Sequence, residues 1–366
     1  MLAAFSLTPY TNCTNMSFLL DSDIDEICTK LGDDARMFAG RRILITGARG
    51  FLGRYFTSVF LRLNATVLRD PCEVIALDNL STSGALGADL PVDRNFAFVE
   101  HDAIKPFYPE RPVDFILHAA GIASPYYYRK WPLETLDVAT TGLRNILDMA
   151  RKHPARVVFF SSSEIYGNPD AQHVPTQESY NGYVSCLGPR ACYDESKRLG
   201  ETLMRIYAEK HGVNGSIVRP FNVYGPGMQK LDYRVLPNFA AKILAGEAVT
   251  VYGDGNQTRT FCYVTDAITG FLKVLLHGEP GEPYNIGNPS PEISMLDLVK
   301  TIKTAVPHLE VMHHVAEHPD TYPADEPQRR CPDITKARTQ VGYEPTIPLD
   351  EGLKRFFSWA QDAYRE

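Results

Sequence analysis

Short, almost continuously apolar runs alternate along this chain with stretches in which apolar residues recur every three or four positions. The runs are Arg42 to Thr46, Val74 to Asp78, Phe96 to Glu100, Val113 to His118, Arg156 to Phe160 and Gly215 to Arg219. They read as strands buried on both faces. Helical periodicity between them predicts helices from about 51 to 63, from about 132 to 152, and around Tyr193 and Lys197. Strands alternating with helices predict an α/β fold, a Rossmann-type doubly wound parallel sheet with ligands at the carboxyl ends of its strands. Beyond about residue 222 the pattern loosens into Pro- and Gly-rich loops with short helices at 236–244 and 293–305, which predicts a smaller, interleaved C-terminal substrate-binding lobe. Near the start, Ile24, Ile27, Cys28 and Leu31 recur at helical spacing and predict an added amphipathic helix from Asp21 to about Phe38. There is no internal repeat or low-complexity tract.

The chain has 366 residues, 44% hydrophobic and 22% charged, enough to bury a full core. A formal net charge of -7 speaks against a general nucleic-acid or anionic-membrane binder. The seven cysteines lack Cys-x-x-Cys spacing and read as reduced thiols of a cytoplasmic protein. No apolar run is long enough for a membrane span, and the first twenty residues carry no Lys or Arg, so neither anchor nor secretory signal is expected. Asn12-Cys-Thr14 and Asn15-Met-Ser17 match a glycosylation sequon that a cytosolic chain would not use.

Chemistry enters at the strand ends. Directly after Thr46 comes Gly47-Ala-Arg-Gly50-Phe-Leu-Gly53. Glycines at this spacing permit positive backbone dihedrals and close approach of a pyrophosphate, whose charge rests on the following helix N-terminus. The second strand ends in Asp78, an acid placed to take the ribose diol of NAD and to repel the extra phosphate of NADP, with Arg49 and Ser81 nearby. Tyr193 and Lys197 stand four apart on one helical face. A phenol with an ordinary pKa of about 10 is a poor base at neutral pH, and a neighbouring ammonium is what lowers it. Taken alone, such a pair also describes a packed tyrosine beside a solvated lysine.

Three further strand-end segments, His118-Ala-Ala-Gly-Ile-Ala-Ser-Pro125, Ser161-Ser-Ser-Glu-Ile-Tyr-Gly167 and Arg219-Pro-Phe-Asn-Val-Tyr-Gly-Pro226, complete an ordered set. With them, the chain from about 40 to 360 resembles the extended short-chain dehydrogenase/reductase family acting on nucleotide sugars. Within that family it is most similar to the UDP-glucuronic acid decarboxylases, which share Gly188-Pro-Arg-Ala-Cys-Tyr-Asp-Glu195, Val251-Tyr-Gly-Asp-Gly-Asn-Gln-Thr-Arg259 and Pro327-Gln-Arg-Arg-Cys-Pro-Asp-Ile334 almost in full. The resemblance implies an NAD-binding domain over 40–221 with parts of 260–290, a nucleotide-sugar lobe over 222–366, and an extension over 1–39. It implies cofactor contacts at Gly47, Gly50, Phe51, Leu52, Gly53, Asp78, Asn79, Asp102, Ala103, Ala119, Ala120, Tyr193 and Lys197. Ser162 would hydrogen-bond the sugar hydroxyl at carbon 4 while Tyr193 takes its proton, and Lys197 would lower the tyrosine pKa. Asn222, Arg234, Tyr252 and Arg259 would contact the UDP-sugar, the arginines gripping its diphosphate.

The family branches after carbon 4 is a ketone. A 4,6-dehydratase places Asp-Glu after the serine or threonine, and an epimerase has an acid at neither position. Here the pair is Ser163-Glu164, the decarboxylase pattern. An aspartate beside carbon 6 would repel a substrate carboxylate, whereas Ser163 offers a neutral hydrogen bond, and Glu164 would disfavour the carboxylate ground state or manage protons. By resemblance Arg330 stands near carbon 5, orienting the water that protonates it, and Arg190 recognises the carboxylate or positions its loop. UDP-glucuronate 4-epimerase and other dehydratase or epimerase activities are the alternatives, with a non-catalytic NAD-binding sensor more remote. The resemblance also implies a homodimer through the helices at about 132–152 and 193–211.

Other features read as structure. His313, His314 and His318 sit in a strand-like segment without a thiolate or carboxylate set, so no metal is expected. At least one of Tyr126, Tyr127 and Tyr128 is expected in the core, and Cys192 is expected to pack. The chain departs from the decarboxylase pattern where His118-Ala-Ala-Gly-Ile replaces His-Leu-Ala-Ser-Pro and Ala139-Thr140 replaces Asn-Thr.

Overall fold

In the computed structural model, which describes residues 18–83, 90–317 and 327–365, seven parallel strands form one sheet. Across the sheet they run Pro283–Ile286, Gly215–Pro220, Arg156–Phe160, Phe115–His118, Arg42–Thr46, Glu73–Asp78 and Phe96–Glu100. Chain order reverses between Arg42–Thr46 and Phe115–His118, where Thr46 pairs with His118. A doubly wound sheet opens its ligand crevice at such a reversal. The sequons at Asn12 and Asn15, and His318, lie outside the described residues.

Alternate strand residues feed two cores, as a period of two requires. Ile43, Ile45, Val74, Ala76, Val158 and Phe160 join one cluster with the helices Phe51–Thr66 and Val264–His277, while Leu44, Ile75, Leu77, Val157 and Phe159 join a second with Leu143, Leu147, Leu203 and Met204. The second core is closed by the helix Ala191–His211. Residues after 222 add smaller sheets: Val223–Tyr224 with Cys262–Tyr263, Thr258–Arg259 between Ile293–Ser294 and Arg329–Arg330, and Val249–Tyr252 with His313–Ala316.

Several elements differ from the periodicity. The helix expected over 132–152 is broken into Pro132–Asp137, a wider π turn at Val138–Gly142, and Leu143–Lys152. In the break, Val138 gives its carbonyl to His118 Nε2 at 3.3 Å, and Gly142 approaches the Ala103 carbonyl so closely that a Cβ would lie 3.2 Å from it. A helix facing two strand ends trades regular hydrogen bonds for these contacts. The N-terminal helix ends at Leu31, because Gly32 turns to φ +55, and a 3₁₀ segment continues to Phe38. The helix expected from 293 begins at Met295, capped by Ser294.

Candidate active site

The tyrosine helix is pressed against strand Arg156–Phe160 by Gly200, where a Cβ would lie 2.4 Å from the Phe159 ring. That close approach lets Lys197 Nζ reach the Phe160 carbonyl at 2.7 Å, with the ammonium 5.7 Å from the Tyr193 ring centre. Burial pushes Lys197 down to about 8. Tyr193 is buried and its pKa is raised, first by burial; the Ser162 hydroxyl bound to it opposes the rise, Asp194 adds to it, and Arg234 and Arg190 oppose it. Lys197, expected to be the chief cation, is thus oriented toward the strand carbonyl in this state, and Ser162 and two arginines favour the phenolate. Tyr128, the core member of the three tyrosines, stacks on Tyr193 at 5.3 Å and 15°. The segment 125–130 is a short helix, so Tyr126 remains exposed while Tyr128 is buried. Cys192 Sγ meets the Tyr128 carbonyl at 3.5 Å and burial raises its thiol pKa, an environment for packing rather than nucleophilic attack.

Ser162 caps a tight 3₁₀ turn, Ser163–Tyr166, and its Oγ also accepts from the Glu164 N–H at 3.2 Å. The turn aims Glu164 at two guanidiniums. Arg330 meets both of its oxygens, Nη1 to Oε1 at 2.5 Å and Nη2 to Oε2 at 2.6 Å, and Arg190 pairs with Oε2 as well. Arg190 also lies 3.6 Å from Asp194. Ser163 is buried beside this cluster. The residues that the sequence assigned to carbon 6 and carbon 5 chemistry therefore converge on one carboxylate.

Arg330 reaches the cluster because strand Arg329–Arg330 pairs with Thr258–Arg259, which sets Arg330 opposite Arg259. Arg259 donates to the carbonyls of Thr258 at 2.8 Å and Gln328 at 3.3 Å. Arg234 grips Asp232, Nε to Oδ1 at 2.9 Å and Nη2 to Oδ2 at 2.5 Å, a partner that sequence reading missed. Asn222 takes φ +40, a conformation costly for a non-glycine residue and common at functional sites, and donates from Nδ2 to the Thr260 carbonyl at 2.8 Å. Tyr252 ends a strand of the separate sheet with His313–Ala316, at the start of the 253–257 loop.

The strand ends at the reversal carry the glycine turn and the acid that a dinucleotide site requires. Gly47 has φ +69, and a Cβ there would lie 2.7 Å from the Ala120 backbone. A Cβ on Gly53 would lie 2.2 Å from the Gly47 carbonyl, so this glycine is needed for helix-to-turn packing. A Cβ on Gly50 would meet only the Gly47 carbonyl, at 3.3 Å, so this glycine at the helix N-cap is less crowded than Gly47 and Gly53. Phe51 and Leu52 follow in the helix. The Asp78 carboxylate accepts the N–H groups of Arg49 at 2.8 Å and Leu80 at 2.7 Å; burial raises its pKa, and these two donors and the charges of Arg49 and Arg54 oppose the rise. Asn79 accepts from Ser81 N–H at 3.1 Å, and Asp102 from Ile104 N–H at 3.2 Å. Ala103 faces Gly142, and Ala119 and Ala120 line the reversal point. Behind them Thr46 Oγ1 lies 2.8 Å from His118 Nδ1 and 3.3 Å from the Ala120 N–H. Burial, with the Lys197 charge adding to it, holds His118 down to about 3, so it is a neutral strut.

Comparison with known proteins agrees with this geometry. The model of the NAD dependent epimerase/dehydratase family matches residues 43–287. UDP-glucuronic acid decarboxylase 1 of Danio rerio is 40% identical over 316 residues, 86% of this chain and 71% of that protein. UDP-glucuronic acid decarboxylase 6 of Arabidopsis thaliana is 40% identical over 85% of this chain and 86% of its own length. Among solved structures, a dTDP-glucose 4,6-dehydratase from Streptomyces venezuelae, determined with NAD bound, superposes with a TM-score of 0.74 at 25% identity, covering 88% of this chain and 97% of that one. A family model spanning more than half of the chain, and relatives this similar over most of it, agree with a cradle shaped for a dinucleotide: the chain belongs to the NAD-dependent epimerase/dehydratase family.

Proposed function

We propose that the protein is an NAD-dependent decarboxylase that converts UDP-glucuronate to UDP-xylose. The observation that carries this reading is Ser163-Glu164 at the strand end, with Glu164 held between Arg190 and Arg330. The names of its relatives support it. NAD bound at the glycine turn supplies the acceptor, and later the donor, of the hydride at sugar carbon 4.

Tyr193 accepts the proton of the carbon 4 hydroxyl, and Ser162, bonded to the phenol, orients that hydroxyl. Lys197 holds its charge near the tyrosine ring, bonded to the Phe160 carbonyl, and would hold the nicotinamide ribose when NAD is bound. With carbon 4 a ketone, the carboxylate at carbon 6 belongs to a β-keto acid and departs as carbon dioxide. Ser163 meets that carboxylate without the repulsion an aspartate would bring, and Arg190, with a fork suited to carboxylates, exchanges Glu164 for it. Carbon 5 then needs a proton. An arginine with a pKa above 12 is a poor donor, so Arg330 orients a water that delivers it. Arg234, after release from Asp232, and Arg259 hold the nucleotide diphosphate, Asn222 contacts the substrate and Tyr252 flanks the base. On this reading the NAD-binding part spans 40–221 with parts of 260–290 and also supplies Ser162, Ser163 and Arg190 to the sugar, while 222–366 supplies the residues that hold the nucleotide.

We also place the enzyme in the cytoplasm as a homodimer. The cysteines among the described residues are free thiols, and no helix among those residues is long and apolar enough to cross a membrane. Leu199 and Ile206 are exposed on one face of Ala191–His211, and Leu133 is exposed on Pro132–Asp137, a helix that packs against it, which supports helix-to-helix pairing. A dilute monomer in light scattering would refute the dimer. For the activity, protein, NAD and UDP-glucuronate are incubated in deuterated water and products read by NMR. UDP-xylose deuterated at carbon 5 is expected, UDP-galacturonate would convert the reading to epimerase, and no turnover would reject the substrate.

A further inference from the structure

Residues 18–23 join the fold where the glycine-turn helix, the loop 225–228 and the C-terminal helix Leu349–Ala363 meet. The Phe18 carbonyl accepts from Trp359 Nε1 at 3.0 Å, and its ring meets Trp359 edge-on at 6.0 Å. Leu19 is buried and fills the space that a Cβ on Gly227 would need, 2.7 Å away. Beside them lies Arg54, a buried cation near the start of helix Phe51–Thr66, where the helix dipole is already positive. Burial is the main force pushing its pKa down, to about 10, with Arg49 adding to it and Asp78 opposing, so it remains charged at neutral pH.

A charge in so unfavourable a place needs compensating contacts. The Phe18 ring covers the Arg54 guanidinium at 4.2 Å. Arg54 Nε donates to the Arg49 carbonyl at 2.7 Å and Nη2 to the Ser83 carbonyl at 3.1 Å, which Gln229 Nε2 also binds at 3.0 Å. Arg49 in turn donates its N–H to Asp78. A continuous bridge thus runs from the extension, through Arg54, to the glycine turn on one side and the loop 79–83 on the other. In the Rossmann pattern the pyrophosphate rests on the glycine turn and the adenosine ribose on the acid that ends the second strand, here Asp78, so the bridge spans the adenosine side of the cradle. A planar fork can hold both carbonyls at once, whereas an ammonium holds them as a single point.

We infer that Arg54, gripped by Phe18 of the N-terminal extension, is a positioning residue that sets the spacing of the glycine turn and the loop 79–83 for the adenosine diphosphate half of NAD. This rests on the cofactor reading above and adds that residues outside the nucleotide domain govern its affinity. The test is calorimetric titration of the full chain with NAD, ADP-ribose and UDP. Phe18→Ala and Arg54→Lys are expected to weaken NAD and ADP-ribose alike, by about tenfold, the size of effect that follows removal of one charge-assisted interaction. Phe18→Tyr, which keeps the ring, is expected to bind NAD as the native chain does. UDP affinity should be retained in all three, showing that they are folded. As a control for general destabilisation, Val299→Ala, buried in the helix Met295–Ala305, should lower the melting temperature and leave NAD affinity unchanged. Native NAD and ADP-ribose affinity in both Phe18→Ala and Arg54→Lys would overturn the inference, as would weakened NAD with native ADP-ribose binding, or an equal NAD loss in Val299→Ala. A native chain that bound no NAD would instead overturn the cofactor reading itself.

Discussion

Replacing Glu164 with Gln should destabilise the free protein and make its stability depend on a ligand that carries a carboxylate. Glu164 is the shared counter-ion of Arg190 and Arg330, whose side chains are 10% and 8% exposed, and its own side chain is 19% exposed. Glutamine has the same length but no charge, so two nearly buried guanidiniums would face each other without their carboxylate. Breaking a buried pair from one side costs about 3–5 kcal/mol, and the residual exposure of Glu164 puts this one near the lower end, at about 3 kcal/mol. At roughly 2 °C per kcal/mol for a chain of this size, the melting temperature falls by about 6 °C. UDP-glucuronate brings a carboxylate to the same guanidiniums and should restore much of the loss. UDP-xylose, with the same nucleotide and no carboxylate, should restore much less. Scanning fluorimetry of both proteins with each ligand at saturation measures this directly. An unchanged melting temperature in the free variant, or equal rescue by the two ligands, would refute the claim that Glu164 occupies the place of the substrate carboxylate.

Gly53→Ala forces a Cβ to within 2.2 Å of the Gly47 carbonyl and 2.6 Å of Ala48 Cα, so helix and turn must separate. It should cost about 1–3 kcal/mol by overpacking and weaken NAD in a binding titration, while UDP affinity persists. Lys197, held down to about 8 by burial, should give kcat/KM an alkaline limb near that pH, and Lys197→Arg should remove the limb even if turnover is lower. The same group makes the fold gain stability as pH rises from about 8 toward its unfolded value of about 10.4, because the unfolded chain then binds more protons. Asp23 is buried against Tyr263 at 2.8 Å and Tyr55 at 3.2 Å; burial raises it to about 6, opposed by Tyr263, Arg355 and Tyr55. Its folded pKa exceeds its unfolded one of about 3.9, so it favours the fold below about pH 4. That contribution disappears as pH rises through about 6. Thermal melts of the native chain and Asp23→Asn across that window should diverge by about 2–3 kcal/mol, and parallel curves would reject the shift.

The inner strands were legible because they are buried on both faces and therefore apolar without interruption, and Arg42–Thr46 and Arg156–Phe160 fall where the hydrophobic runs place them. Phe96–Glu100 also falls on its run, but it is an edge strand with no buried residue, so the expected burial on both faces fails there. Pro283–Ile286, at the other edge, was not marked by such a run. The helix break at Val138–Gly142 was not legible. Nothing in the local spacing of Val138 or Gly142 reports that one carbonyl serves His118 and the other residue must clear Ala103. Gly200 is similar: in sequence it is a weak helix former, and only the 2.4 Å approach to Phe159 explains it. Tertiary packing decided these positions, and periodicity carries no information about it.

In the active site the separate residues were readable and their pairing was not. Motif spacing located Ser163-Glu164, Arg190 and Arg330, yet the resemblance assigned the arginines to the substrate and left Glu164 either to disfavour the carboxylate ground state or to manage protons. Glu164 and Arg330 lie 166 positions apart in the chain, and they meet only because Arg329–Arg330 pairs with Thr258–Arg259. The pairing changes the electrostatics. A carboxylate already held by two guanidiniums is a poor proton carrier, because protonating it would remove the counter-ion that Arg190 and Arg330 share. It is, however, a good competitor for them. At rest Arg190 and Arg330 face two carboxylates, Glu164 and Asp194. A substrate carboxylate adds a third negative charge, which leaves this cluster for the enolate oxygen at carbon 4 as carbon dioxide departs. The same like-charge crowding that would reject an aspartate at Ser163 is thereby retained at one remove by Glu164, where it opposes the carboxylate ground state without blocking its binding.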